Sequence, residues 1–537
     1  MVERKTCIWW VKNDARLSDN EALNQACQHA YVGKQNLLII AFIEPSILIS
    51  AEYGPRYYAA RICALKALAR QVKAEKQQLY FFYEEAVNGF QRILRSIEVA
   101  SVFAHQETSS QSGYQRDEKV REILSKQGIA FYEPAQQAVI RGLQKRDKRL
   151  AQARKPFESQ DSLARQKLPR LNEQLGEKLK QVTGIRKTAI PVKNFFEGSE
   201  LRDEVSLANS IQKVTEFEAR ETIQSFFYQR GLRYSGGISS PNEAFTAGSR
   251  LSVHLAHGTC SLRQVFEALN KRLAELHGLS DDNSKRWRKS LNAFRSRLFW
   301  RDHFIQRLET EVEISVRAIN PAFRNLDYAD TKHDDLMERF FTGRTGFPII
   351  DACMRCLTET GFLNFRMRAL VTNFASFGLH LNFLSFQDRL GRLFTDYEPG
   401  IHFSQIQMQA GIVGINTVRV YSPLKQLLDQ DPDGLFVRRW LPELQDFSFE
   451  QISAYEMADL SPYPRPCVAF NEQAKLMKDQ IFTIKRGDFG KAASLAVLEK
   501  HGSQRTRGRK ASITASGVPK PRTKKKPVKN PRQAELL

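Results

Sequence analysis

The order of apolar segments along the chain constrains its fold more than any other feature. Before residue 135, short apolar runs of strand length alternate with helical stretches; the runs are Cys7 to Val11, Leu37 to Ile43, Leu79 to Tyr83 and Ala100 to Ala104. Strands that alternate with helices are typical of a doubly wound parallel sheet. From Glu216 to about Lys500 helical periodicity dominates instead. The sequence therefore predicts an α/β N-terminal domain followed by an all-α domain.

Shifts in composition indicate where these domains begin and end. From about Gln144 to Thr215 the chain is polar and charged, as in a long connector. Between Arg505 and Arg532 it carries eleven Lys or Arg and no acid, a composition that cannot bury a core. We expect an α/β domain over 1–140, a connector over 141–215, a helical domain over 216–500 and a disordered basic tail over 501–537.

The charge of the chain indicates the class of partner. The formal net charge is +22, while hydrophobic residues make up 42%, enough for sizeable cores. Such a charge favours a polyanionic partner, with nucleic acid ahead of a membrane surface. No apolar run approaches the length of a membrane span, and Met1 to Trp10 lacks the pattern of a signal peptide. We expect a cytoplasmic protein, and a monomer.

The seven cysteines are scattered, which favours reduced thiols over a disulfide framework. Only Cys353 and Cys356 form a CxxC pair, and they lie in an apolar helical pattern without a second pair at ligand spacing. A place in a helical core is the favoured interpretation, and a metal or redox site is the alternative. We expect no metal site.

Three stretches of the sequence carry a family resemblance. Trp9 to Leu23, Thr345 to Arg355, and Asp396 to Glu398 continuing through Asn416 to Leu444 resemble the photolyase/cryptochrome family in register. The resemblance implies that the helical domain binds FAD in a folded-back shape. It implies that Asp14 and Arg16 hold the turn after the first strand, with Asp19-Asn20 capping the next helix. A second, antenna chromophore is open: a folate, a deazaflavin or none.

The resemblance also implies which residues bind FAD. Gly248 stands where Thr is usual in a small-residue motif suited to a pyrophosphate. Arg368 and Asp396 match a salt-bridged pair beside the isoalloxazine ring, where a cation would stabilise reduced flavin. His402 matches the residue that faces flavin N5, and an imidazole that titrates near neutrality could exchange a proton there; a hydrogen-bonded core histidine is the alternative. The full predicted set is Tyr234, Gly248, Ser249, Arg250, Leu251, Ser252, Trp300, Arg301, Arg368, Asp396, Glu398 and His402.

Positions that contact the lesion in cyclobutane-dimer photolyases differ in this sequence. Arg297 stands where a Glu supports the flipped dimer, Phe365 where an Asn touches it, and Met408 where an aromatic residue stacks beneath it. A cation at Arg297 could still stabilise a radical anion on the substrate. The resemblance therefore implies catalytic roles for Arg297, Trp300 and His402 without specifying the lesion.

The family's electron-relay tryptophans are also replaced. The position nearest the flavin is Ile406, the middle one is Phe383, and the outer one falls near Asp330. Neither Ile nor Phe gives up an electron easily, so we expect no photoreduction by the usual relay. Tyr397 or Trp300 is a candidate substitute.

Basic residues flank the expected flavin cavity, as suits an enzyme that extrudes a damaged nucleotide into a pocket. The predicted DNA contacts are Arg297, Arg366, Arg419, Arg438 and Arg439. The cations of the tail would add sequence-independent contacts to phosphates. Solubility alone is the alternative explanation for such charges.

Three functional hypotheses follow from these residues. The first is a light-driven, FAD-dependent lyase of the deoxyribodipyrimidine photolyase type, which repairs UV-damaged DNA by electron transfer from reduced flavin to a pyrimidine photoproduct. The second is a cryptochrome-like blue-light photoreceptor. The third is a light-independent flavoprotein that binds nucleic acid. The basic rim and tail favour the first hypothesis, while Arg297, Phe365 and the replaced relay favour the others.

Overall fold

A computed structural model gives the fold of residues 4–502, apart from 147–148, 173–174, 177–178, 180–184, 187–211, 327 and 329–332. Much of the predicted connector and nearly all of the predicted tail lie outside the described residues. The domain boundaries stay a prediction.

The N-terminal part is built on one sheet. Its strands are β1 (Thr6–Trp10), β2 (Asn36–Phe42), β3 (Leu79–Phe82), β4 (Val99–Phe103), β5 (Ala130–Tyr132) and β6 (Ile185–Arg186). The order is β5-β4-β1-β2-β3-β6, and the first five strands in this order run parallel. The predicted α/β class is confirmed. The sixth strand is an antiparallel edge, which is common on otherwise parallel sheets.

Helices cover both faces of this sheet, which explains why its central strands are apolar throughout. The helices of this part are α1 (Glu21–Val32), α2 (Pro45–Leu48), α3 (Pro55–Ala74), α4 (Ala86–Ser96), α5 (Gln111–Lys126) and α6 (Arg149–Ser159). Successive strand side chains point to opposite faces. Trp9 and Ile39 belong to one buried cluster, while Trp10 and Ile40 belong to the cluster on the other face.

The turn after β1 connects the sheet to the helical part. Buried Asp14 accepts hydrogen bonds from the backbone of Lys12 and from the Trp9 indole, at 2.9 and 3.3 Å. The buried guanidinium of Arg16 donates to the carbonyl of Gly258, in the helical part, at 3.0 Å. Asn20 caps α1 by accepting from the backbone of Leu23. These contacts match the roles expected for Asp14, Arg16 and Asn20.

The C-terminal part is helical. Its α-helices are α7 (Glu216–Tyr228), α8 (Tyr234–Gly237), α9 (Ala244–Ala247), α10 (Ser252–Ala256), α11 (Leu262–Glu275), α12 (Asp282–Thr310), α13 (His333–Thr342), α14 (Pro348–Thr360), α15 (Phe365–Asn373), α16 (Phe383–Gly391), α17 (Pro399–Gln409), α18 (Pro423–Gln430), α19 (Leu435–Trp440), α20 (Phe449–Ser453), α21 (Phe470–Arg486) and α22 (Asp488–His501). Short 3₁₀ and π segments lie between them, including a π turn at Phe374–Gly378 that continues α15.

Helix α14 lies at the centre of the helical core. Cys353 and Cys356 have no exposed surface and pack in the same apolar cluster, as the helical pattern predicted. Within the described residues, no group of His, Cys, Asp or Glu side chains is arranged to hold a metal ion. Every helix in that part of the chain is too short or too polar to cross a lipid bilayer.

Candidate FAD and nucleic-acid site

One large cavity brings together most of the predicted site residues. It measures about 620 Å³ and is enclosed mainly by α12, α15, α17 and the loop that precedes α10. A volume of this size suits a cofactor or drug-sized ligand. The predicted residues on its wall are Tyr234, Gly248, Ser249, Arg250, Leu251, Ser252, Arg297, Trp300, Arg301, Arg366, Arg368, Asp396, Glu398, His402 and Arg419.

Two of the predicted DNA contacts do not line this wall, and their role stays a prediction. Arg438 and Arg439 lie on α19, and neither lines the cavity. Arg438 donates to the backbone carbonyls of Asp433 and Phe447, at 2.8 and 3.3 Å. Arg439 lies over the ring of Trp440, at 5.3 Å from its centroid. Both side chains contact neighbouring groups of their own region.

The loop before α10 places a cation at the cavity. Arg250 has a left-handed backbone, with φ of 58°, and its guanidinium lies 3.7 Å from the centroid of the Phe362 ring. Arg230 holds the loop from behind by donating to the carbonyls of Gly248 and Ser249. Burial lowers the pKa of Arg250 to about 10, and its Nη1 atom is buried without a hydrogen-bond partner. Helix α10 has only five residues, so its N-terminus attracts an anion weakly. The guanidinium of Arg250 is the stronger attraction for an anion at this loop.

A second guanidinium in the cavity is only partly satisfied. Arg301 donates to Glu398 at 3.1 Å, but its Nη1 atom is buried without a partner. Burial raises the pKa of Glu398 to about 6, although Arg301 opposes the shift. Unpartnered buried donors are costly, and an acceptor group on a ligand in this cavity would satisfy these two. The free nitrogens of Arg250 and Arg301 fit the phosphate oxygens of FAD.

Arg368 and Asp396 form the salt bridge that the resemblance implied. The Arg368 Nη2 atom donates to both carboxylate oxygens, at 2.8 and 2.9 Å. Burial alone raises the pKa of Asp396, but Arg368 and the Ser252 hydroxyl outweigh burial, and the pKa lies below its ordinary value. The carboxylate therefore stays charged and holds the cation against the ring of Phe394, 4.1 Å from its centroid.

His402 lies on the cavity wall but differs from the expected near-neutral titration. Its Nε2 atom lies 2.8 Å from the carbonyl oxygen of Gln387, which can only accept, so this nitrogen carries the proton. Burial lowers the pKa of His402 to about 4. The ring is neutral at physiological pH, and its Nδ1 atom is an acceptor rather than a proton donor.

The exposed rim of the cavity has a different composition. Trp300 is 39% exposed and Phe365 is 45% exposed, unusual values for large hydrophobic side chains. The guanidinium of Arg297 lies over the Phe365 ring, at 5.4 Å from its centroid. Arg366 lies over Tyr421 in the same way, at 5.9 Å. Aromatic rings and cations are therefore in contact at this part of the wall.

The fold brings three of the substituted relay and lesion positions to the cavity and leaves one in the helical core. Phe365, Met408 and Ile406 line the cavity, as their alignment implied. Phe383 is buried in the helical core and does not reach the cavity wall. Asp330 lies outside the described residues.

Sequence reasoning missed Asn364, which is buried on the cavity wall. Its amide donates to the carbonyls of Ile238 and Ser239, at 2.8 and 3.0 Å, while its Oδ1 atom is buried without a partner. A single Asn before a helix is an ordinary cap in sequence. In the fold, the orientation of its side chain depends on hydrogen bonds to backbone carbonyls more than a hundred residues away.

Comparison with known proteins gives a consistent result. Residues 7–173 match the family model described as DNA photolyase, and residues 294–483 match the FAD binding domain of DNA photolyase. A deoxyribodipyrimidine photo-lyase of Alkalihalophilus pseudofirmus is 23% identical over 486 residues, 87% of this chain and 95% of the relative. The cryptochrome DASH of Gloeobacter violaceus is 29% identical over 246 residues, 43% of this chain and 45% of the relative.

Solved structures show the same fold. A Sulfolobus tokodaii photolyase crystallised with two FAD molecules has a TM-score of 0.72 at 20% identity, and the match covers 89% of this chain and all of that one. A cryptochrome from Synechocystis has a TM-score of 0.73 at 20% identity, with 89% and 99% covered. The sheet, the helical cluster and both matched models agree, and the chain belongs to the photolyase/cryptochrome family.

Proposed function

We propose that this protein is a FAD-dependent, blue-light-driven photolyase that repairs pyrimidine photoproducts in DNA by electron transfer from reduced flavin. One observation carries the proposal: the cavity combines unpartnered buried arginine nitrogens with an exposed aromatic and basic rim. The first feature suits a cofactor diphosphate, and the second suits a base that has left the DNA stack. The lyase class agrees with relatives named deoxyribodipyrimidine photo-lyase.

The inner residues would hold the cofactor. Arg250 and Arg301 would donate to its phosphates, and the charged pair of Arg368 and Asp396 would place a cation beside the ring system. FAD would supply the transferable electron when bound. A neutral His402 would present an acceptor nitrogen to the ring rather than an acid. These residues would bind and orient FAD, and the apolar part of the cavity wall would exclude water.

The rim residues would take the substrate. Stacking on an exposed aromatic face is worth about 1–3 kcal/mol per base, which favours Trp300 and Phe365 as platforms. Arg297, Arg366 and Arg419 on the same wall would contact phosphates or the lesion carbonyls. The basic tail, outside the described residues, would add contacts that salt weakens.

The residues of the rim favour no particular lesion. Arg297, Phe365 and Met408 replace the acid, amide and aromatic residue expected for a cyclobutane dimer. A second chromophore in the α/β domain also belongs to the proposal; the Sulfolobus tokodaii relative crystallised with two FAD molecules.

A photoreceptor is the second candidate. The cryptochromes of Gloeobacter violaceus and Synechocystis resemble this chain to a similar degree as its photolyase relatives. The contact between Arg297 and Phe365 occupies the place where a repair enzyme contacts the lesion.

A repair assay under blue light tests the proposal. The flavin is first reduced chemically, and the substrates are oligonucleotides with a cyclobutane dimer or a (6–4) photoproduct. Light-dependent restoration of either lesion, lost in the dark and in Trp300→Ala, is the expected result. FAD and DNA retention without repair of either lesion would contradict the enzyme and favour the photoreceptor.

A further inference from the structure

A cluster of tyrosines leads from the cavity wall into the α/β domain. Tyr397 lines the cavity, and its ring centroid lies 5.1 Å from that of His402. On its other side, Tyr397 meets the ring of Tyr53 at 5.3 Å between centroids, and Tyr53 meets Tyr57 at 4.9 Å. These separations are those of aromatic rings in direct contact. Tyr57 also lies 4.6 Å from the ring of His257.

Tyr397 has a carboxylate partner suited to accept its proton. Its hydroxyl donates to Glu52 Oε2 at 2.9 Å, and the Ser110 hydroxyl donates to Oε1 of the same carboxylate. Burial raises the pKa of Glu52, which makes it a stronger base. A general base at hydrogen-bond distance is what a group that must lose a proton requires. A phenol that loses an electron becomes strongly acidic, so Tyr397 is such a group.

The packing at the domain boundary keeps these groups together. A Cβ atom on Gly391 would lie 2.8 Å from the Tyr397 ring and 3.3 Å from the backbone oxygen of Glu52. A Cβ atom on Gly54 would lie 1.8 Å from the carbonyl oxygen of Arg392. The start of α3 therefore fits tightly against the loop after α16, and Tyr53 is held beside Tyr397.

A small polar cavity adjoins the tyrosines. It measures about 20 Å³ and is lined by Tyr53, Tyr57 and Tyr397 together with the side chains of Asn13 and Glu107. A volume of this size is enough for one water molecule with several polar partners. The carboxylate of Glu107 on this wall is an acceptor for a proton released by Tyr53 or Tyr57.

Trp300, the other redox-active candidate on the wall, has different neighbours. Its described ring contacts are with Phe304 and His303, at 5.6 and 5.3 Å. Phe304 resists oxidation, and burial holds the pKa of His303 well below its ordinary value, among several arginines. Among the described ring contacts, the tyrosine cluster is the one that continues from the cavity through further oxidisable rings.

We propose that Tyr397, Tyr53 and Tyr57 form an electron relay that takes the place of the missing tryptophan relay, with Glu52 as the proton acceptor of Tyr397. One electron leaves Tyr397 for light-excited oxidised FAD, and the phenolic O–H bond breaks as its proton passes to Glu52. A neutral tyrosyl radical and a protonated Glu52 remain. An electron from Tyr53 then restores Tyr397, which takes its proton back from Glu52.

The radical is then shared by Tyr53 and Tyr57, and the proton that Tyr53 loses passes to the carboxylate of Glu107 on the wall of the polar cavity. A soluble thiol supplies the electron that restores the tyrosine and is oxidised towards its disulfide, while the proton returns from Glu107. A second round delivers the second electron that full reduction of FAD requires. This relay rests on the proposed light-driven function, because it concerns how the flavin reaches its reduced form.

The test follows blue-light reduction of the FAD-loaded protein in the presence of a thiol. Absorbance reports the flavin, and electron paramagnetic resonance of samples frozen under illumination reports the radical. The variants are Tyr397→Phe, Glu52→Gln and Tyr53→Phe. Tyr455→Phe is the matched control, because Tyr455 is equally buried but packs on Phe347 in the helical core, away from the cavity.

The unchanged protein and Tyr455→Phe should give a tyrosyl radical. Tyr397→Phe should lose the radical, and its FAD should be reduced at least about tenfold more slowly. D₂O should slow the reduction of the unchanged protein, because a proton moves with the electron. Glu52→Gln should slow reduction about tenfold and remove this dependence on D₂O. Tyr53→Phe should form the radical but shorten its lifetime. FAD content and melting temperature confirm that each variant is folded and loaded.

Several outcomes would overturn the relay: a tyrosyl radical and normal rate in Tyr397→Phe, or a tryptophan radical that disappears in Trp300→Phe. A radical in Tyr53→Phe that lasts as long as in the unchanged protein would remove Tyr53 from the path. Chemically reduced Tyr397→Phe should still repair DNA. If the unchanged protein repairs after chemical reduction but never photoreduces, the relay fails while the proposed function stands.

Discussion

The inner wall and the rim of the cavity use arginine in opposite ways. On the inner wall, defined by Arg250, Arg301 and the pair Arg368–Asp396, the cations contact fixed partners, and Arg250 and Arg301 each keep one buried nitrogen without a partner. On the rim, defined by Trp300, Phe365, Arg297, Arg366 and Arg419, aromatic surface is exposed beside the cations. The inner wall is therefore arranged in advance for one ligand, whereas the rim suits a larger partner that covers it.

The largest expected effect is on the inner wall. Arg250→Met should weaken FAD binding about 100-fold, since a charge-assisted hydrogen bond in a buried site is lost. The melting temperature of the apoprotein should change little, because the Nη1 atom of Arg250 has no protein partner and the Met side chain can still pack on the Phe362 ring. Fluorescence titration of FAD and thermal melts measure the two effects.

Arg438→Met is the control for this experiment, because Arg438 lies off the cavity. Equal losses of FAD affinity in the two variants would contradict the proposal that the inner wall binds FAD.

The rim should give the next largest effect. Trp300→Ala should weaken binding of lesion-containing DNA about tenfold, because one stacking platform is removed. Unmodified duplex DNA should be bound almost as before, since its bases stay stacked. Competition binding with matched lesion and undamaged oligonucleotides measures the difference. An equal loss for both DNAs would indicate a general structural defect.

A smaller effect, the pH dependence of FAD affinity, should distinguish the inner wall from the rim. The pKa of Glu398 is raised to about 6 by burial, so the carboxyl is protonated below that pH and ionised above it. An ionised Glu398 beside Arg301 opposes the phosphates, and FAD affinity should fall a few-fold as pH rises through about 6. Titrations of FAD between pH 5.5 and 8 measure this dependence. Glu398→Gln should flatten it, and an unchanged slope in that variant would exclude Glu398 as its source.

The smallest effect should come from a single rim cation. Arg366→Gln should weaken DNA binding about threefold for all sequences and lower the salt slope by about one. Arg439→Gln should leave both quantities unchanged, because Arg439 lies over Trp440 and does not line the cavity. Binding isotherms at several salt concentrations measure both. Matching losses in the two variants would return Arg439 to the DNA interface.

The sequence was most informative where local patterns carry structure. Strand length and helical period indicated the α/β sheet and the helical part, because burial on both faces of a parallel sheet selects continuous apolar runs. Asn20 caps α1 as expected, since a cap depends on residues three positions apart. Arg368 and Asp396 also meet as expected, although that prediction rested on the resemblance.

Tertiary structure decided what depends on distant neighbours. Burial lowers the pKa of His402 to about 4 although the hydrogen bond to the Gln387 carbonyl opposes the shift, and no pattern around His402 contains that information. Arg438 donates to carbonyls of its own region and does not line the cavity.

The meeting of Tyr397 with Glu52 shows the same limit most clearly. The two residues are 345 positions apart and come from different parts of the fold. The sequence by itself determined which elements form and which residues can carry charge or lose electrons, because these depend on local period and side-chain chemistry. Packing between elements decided which of those groups meet and how strongly water is excluded from them. Packing between elements therefore sets the pKa values and the contacts of the site.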